Sequence, residues 1–132
     1  MGGYVKILLD LLSGEGLEYE IKKWTDGNNA LIYVQYETDD GEVYTVHVIC
    51  SDELFILRTK GEEDISFSDA GLDYVNYLNQ TFLGYRFILN MKGYTVIERA
   101  RAVDQCPGFV SAAYVLNEIK SLCKVREELC NI

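Results

Sequence analysis

The sequence predicts an α+β fold, an antiparallel sheet flanked by helices, in the order α-β-β-β-β-α-β-β-α. Two observations carry this. Apolar residues recur at helical spacing in three separated segments, near the start, the middle and the end. Between those segments lie four, then two, short runs of alternating character, joined by turns too short for the crossover that parallel strands need. The chain of 132 residues suits one domain spanning 1–132.

The first helix rests on Val5, Leu8, Leu9 and Leu12, which fall on one face, and Gly14 and Gly16 stop it. A first strand follows over 17–24, where Leu17, Tyr19 and Ile21 alternate with Glu18, Glu20 and Lys22. The turn cluster from Asp26 to Asn29 leads to a second strand over 30–37. Asp40-Gly41 then marks the clearest hairpin in the chain, because both residues tolerate tight-turn geometry, and a third strand runs over 43–50. After a turn at Ser51-Asp52, a fourth strand over 54–59 completes a meander. Polar residues 61–64 break the pattern. Ser68 reads as an N-cap for a helix carrying Leu72, Val75, Leu78 and Phe82, closed by Gly84. Strands over 85–90 and 94–103 form a second hairpin through Met91-Lys92-Gly93. Pro107-Gly108 marks a restart into a last helix with a broad stripe of Ala112, Val115, Leu116, Ile119, Leu122, Cys123 and Leu129. Lys120, Lys124 and Arg126 lie in its later half, where cations suit the helix dipole.

Composition narrows the function. Lys plus Arg is 12 against 21 Asp plus Glu, a net charge of −9, which argues against nucleic acid and anionic membrane as partners. No segment is apolar for long enough to span a bilayer, and no secretory leader is legible. The four cysteines, Cys50, Cys106, Cys123 and Cys130, therefore read as reduced thiols in a cytoplasmic protein, without the paired spacing of a zinc site.

Residues that carry chemistry are few, and no catalytic, metal or cofactor site is expected. His47, the single histidine, shares a strand face with Thr45 and Ile49 and reads as a surface residue without a nucleophile near it in sequence. Glu98 shares a face with Tyr94, Val96, Ala100 and Ala102. The two alanines would let a helix approach closely, leaving Glu98 at the core edge in need of a partner. Arg99 and Arg101 lie together on the other side, spaced to hold a carboxylate or phosphate, or to pair with the acidic residues at 37–42 or 62–64. Those acidic clusters read as solvated loops and lack the spacing of a calcium loop. Ten tyrosines, among them Tyr33, Tyr36, Tyr44, Tyr85 and Tyr94 on strands, are divided between cross-strand packing and a docking surface.

Leu78-Asn79 closing a helix, Tyr85-Arg86-Phe87 opening a strand, the turn Asn90-Met91-Lys92-Gly93, the returning Val96-Ile97-Glu98, and Gly108, Val110 and Ser111 entering the last helix resemble the YbjN-type family of small bacterial proteins. That family's fold is similar to the chaperones of type III secretion. The resemblance implies a non-enzymatic adaptor, regulator or chaperone-like role, with a protein partner and a homodimer. Binding is expected at Arg99, Arg101, Glu98, Tyr85 and Tyr94. A small-molecule binder with a pocket between the sheet and the terminal helix is the alternative.

Overall fold

In the computed structural model, which describes residues 3–103 and 108–130, the chain forms the expected nine elements. They are α1 (Tyr4–Gly14), β1 (Glu18–Asp26), β2 (Asn29–Glu37), β3 (Val43–Cys50), β4 (Leu54–Glu63), α2 (Asp69–Thr81), β5 (Arg86–Asn90), β6 (Tyr94–Ala102) and α3 (Gly108–Cys130). Of the restart expected at Pro107-Gly108, Pro107 lies outside the described residues, as do Cys106 and the side chain of Cys130.

The strands make one six-stranded antiparallel sheet in the order β1-β2-β3-β4-β6-β5. One face is built from Ile32, Val34, Val46, Val48, Phe55, Leu57 and Ile97, all fully buried. Against it pack Val5, Leu8 and Leu12 of α1 and Val115, Ile119 and Leu122 of α3, with Val75 and Leu78 of α2 completing the same core beside Phe87 and Leu89. Burying such side chains contributes roughly 1.5–3 kcal/mol each, so this single layer of contact is the main source of stability.

The helix ends are closed largely as their sequences suggest. Ser68 accepts a hydrogen bond from the Gly71 amide at 3.2 Å and caps α2. The cap residue of α1, Gly3, has no side chain to offer, and Asn28 from the β1–β2 turn supplies its Oδ1 to the Val5 amide instead, at 3.3 Å. The Asp40-Gly41 hairpin is wider than a two-residue turn: the loop is closed by the Thr38 amide donating to the Glu42 carbonyl at 2.8 Å.

Four expectations are corrected. β4 does not stop at Thr59 but runs to Glu63, with an irregularity in its pairing to β6 between Lys60 and Glu63. Leu72 of α2 is exposed, so the buried face of that helix is narrower than its spacing suggests. The last turn of α3 holds Glu127 and Glu128 and no base. Lys120 is engaged instead with Glu15 at the end of α1 at 2.7 Å, and the Arg126 guanidinium lies over the Tyr44 ring, so tertiary contacts engage these two cations. The helices also cover the face opposite to the one that Ala100 and Ala102 suggested, and both alanines are exposed.

Candidate functional site: the open sheet face and its cleft

Alternation along each strand sends every second residue away from the helices, and the strand register lines these residues up across the sheet. One row runs Glu20, Tyr33, His47, Arg58, Glu98 and Arg86, a residue from each strand. The next runs Leu31, Ile49, Ile56 and Ala100 and is apolar. Leu31, Ile49 and Ile56 are each half-buried, whereas the residues of the opposite face are fully covered.

The polar row is ordered by its own contacts. The Tyr33 and His47 rings stack with centroids 4.0 Å apart, and the Lys22 ammonium lies 5.1 Å from the Tyr33 centroid. Arg58 donates through Nε to Glu98 Oε2 at 2.6 Å, and Arg86 approaches the other oxygen at 3.8 Å. The Glu98 side chain is only 10% exposed while Arg86 is 73% exposed, so a carboxylate sunk into the sheet holds two arginines at its surface. Partial burial, and secondarily the charge of Arg58, hold the His47 imidazole below its ordinary value.

Arg99 and Arg101 do not join this group. They face the helices, where Arg99 donates to Glu118 at 2.7 Å and to the Gly84 carbonyl at 2.6 Å and lies over the Tyr85 ring. Arg101 donates to the Tyr114 hydroxyl at 2.7 Å. Their partners thus come from α3 and the α2–β5 loop, not from the acidic runs at 37–42 and 62–64. Gly84 is required there: its φ is +90°, and a β-carbon would collide with the Arg99 guanidinium. Glu98 and Tyr94 sit on the open face; Tyr85 is half-buried beneath Arg99. The five residues expected to bind therefore divide between two faces. Tyr44 is buried and Tyr36 packs against the core, which leaves Tyr33 and Tyr94 as the strand tyrosines of the open face.

Sequence reasoning missed a cleft at one end of this face. Pairing of β3 with β4 stops at Val46 and Thr59, yet β3 begins at Val43 and β4 continues to Glu63. Where the two strands part, a cavity of about 610 Å3 opens, walled by Thr45 and His47 of β3, Arg58 and Lys60 of β4, and Tyr94 of β6, with Arg126 reaching in from α3. The Arg126 guanidinium carbon lies 3.8 Å from the Tyr44 ring centroid. Gly61 marks a different irregularity, since a β-carbon there would collide with the Thr95 hydroxyl where the pairing of β4 with β6 slips.

The described thiols are set apart from both regions: burial pushes Cys50 up to about 11 and Cys123 up to about 12, which makes them poor nucleophiles. Among the described residues no cluster of His, Cys, Asp and Glu is arranged to hold a metal ion, and no helix is long and apolar enough to cross a membrane. The chain matches no protein-family model, and a search of curated proteins finds no relative.

Proposed function

We propose that this chain is a non-enzymatic binding module that docks a protein partner on its open sheet face, as an adaptor, regulator or chaperone-like protein. The observation that carries the reading is the uncovered face itself. A sheet can leave one side to solvent when that side is polar. Here an apolar row of Leu31, Ile49 and Ile56 runs beside aromatic rings and cations, the mixture found at contact surfaces. The charges of this face are mixed and paired, Lys22 with Glu20, Lys60 with Glu63, and Arg58 and Arg86 with Glu98, so the apolar row and the rings beside them are what a partner's apolar side chains would cover. The resemblance of residues 79–111 to YbjN-type proteins supports the same role, and buried, free Cys50 and Cys123 are in keeping with a bacterial cytoplasm.

The edges of the sheet are poor alternatives. The outer backbone of β5 is occupied at Phe87, whose amide donates to Asn79 Oδ1 at 2.7 Å and whose carbonyl accepts from Asn79 Nδ2 at 3.1 Å. β1 carries Lys22 and Lys23 and two shifts of register, both devices that discourage strand addition.

Affinity capture with the tagged chain tests the reading. The expected result is a partner held by the wild type and by Lys6→Glu, on the helical side, but lost from Ile56→Asp and from Arg86→Glu. Light scattering across a concentration series asks separately whether the occupant is a second copy. Capture that survives both face variants contradicts the proposal, and so does a stable homodimer insensitive to them.

A further inference from the structure

The cleft between β3 and β4 has a charge opposite to that of the molecule. Arg58, Lys60 and Arg126 line it, and among the described residues no aspartate or glutamate does. Two of these cations are answered from outside the lining, Arg58 by Glu98 and Lys60 by Glu63, each at 2.6 Å. Arg126 has no carboxylate within ion-pair distance among the described residues, and its Nε is buried without a hydrogen-bond partner. Buried donors left unpaired are rare in native proteins, and a bound ion is among the groups that account for them. The guanidinium carbon lies 3.8 Å from the Tyr44 ring centroid, and a guanidinium recognises planar or tetrahedral oxyanions through its edge. The remaining walls are apolar at Val43, Val96 and the Tyr94 ring, and the cavity, at about 610 Å3, is of the size that holds a small organic molecule.

We propose that this cleft binds a small organic anion, with its carboxylate or phosphate on Arg126 and Lys60 and its apolar body against Val43, Val96 and Tyr94. The assignment rests on different observations from the protein-docking reading, although the two share Arg58, Lys60 and Tyr94. It places a ligand site between the sheet and the terminal helix, built on Arg126 and not on Arg99 and Arg101.

The test is a titration of the isotope-labelled chain with phenyl phosphate, phenylacetate and inorganic phosphate, read at the arginine Nε–Hε resonances by NMR. Arg126 is assigned from the signal absent in Arg126→Gln. The expected result is a saturable shift of that signal, with at least one phenyl compound binding more tightly than inorganic phosphate. Affinity should fall by about tenfold in Lys60→Gln, the loss of one charge-assisted contact, and stay unchanged in Lys6→Gln. Lys60 is half-exposed, so its variant keeps the test open if the Arg126 variant fails to fold. The ranking of the two phenyl compounds distinguishes phosphate from carboxylate. No saturable shift with any probe at millimolar concentration overturns the proposal. So does affinity equal in wild type and Lys60→Gln, or inorganic phosphate binding as tightly as both phenyl compounds.

Discussion

His47 shows how much one side chain takes from its neighbours. Tyr33 is stacked against it, Arg58 stands opposite on β4, and Thr45 and Ile49 flank it on β3. Because the folded chain holds the imidazole below its ordinary value of about 6.5, the unfolded chain takes up a proton first as pH falls. The group's contribution is therefore intact above pH 6.5. It is lost as pH drops from there through the lower folded value, and it changes no further below that. Urea midpoints measured between pH 7.5 and 5 should decline more steeply for the wild type than for His47→Gln, the comparison cancelling the carboxylates that titrate in the same range. Equal slopes would show that the surroundings of His47 do not act on its charge. Glu98 makes the same point in another way. Its position on the face of Tyr94 and Val96 was legible from alternation, but its partners, Arg58 across one strand and Arg86 across the other, are set by register.

At the scale of the element, α2 and β5 depend on Asn79. Its carboxamide both accepts from the Phe87 amide and donates to the Phe87 carbonyl, joining the helix to the outer strand and closing that edge. Asn79→Ala should cost about 1–3 kcal/mol, because it leaves two partly buried backbone groups unsatisfied, and Asn79→Asp should fall between it and the wild type. Chemical denaturation measures both; a loss no larger than that of an exposed surface substitution would remove Asn79 from this role. Element order was legible throughout, since it rests on local signals such as the spacing of Val5, Leu8 and Leu12, the Ser68 cap and the glycines at 27, 41 and 93 in three of the hairpins. What covers each face was not. Period two places Arg99 with Arg101 and Glu98 with Ala100, but says nothing of which side the helices take, and small alanines pointed to the wrong one. Arg126 was legible only as a helix cation, because its site exists through the parting of β3 and β4, a tertiary event.

The whole molecule is a two-layer protein with an acidic total charge and an open sheet surface of paired charges, rings and apolar side chains. Helices α1, α2 and α3 complete the core on one side, so stability is largely settled there and the other side is left open to selection for contact. On that surface the Tyr33–His47 stack, the Arg58–Glu98–Arg86 cluster and the Arg126 cleft lie close together. The single histidine makes this arrangement open to direct measurement. Diethyl pyrocarbonate acylates neutral, accessible imidazole, and Lys6 on the exposed side of α1 serves as an internal reference for reagent concentration. The ratio of His47 to Lys6 modification, read by mass spectrometry, should be high in the purified chain and should fall when the chain is labelled in native lysate. An unchanged ratio in lysate would contradict a docked partner on the sheet face, and a low ratio in the purified chain would contradict an open face altogether.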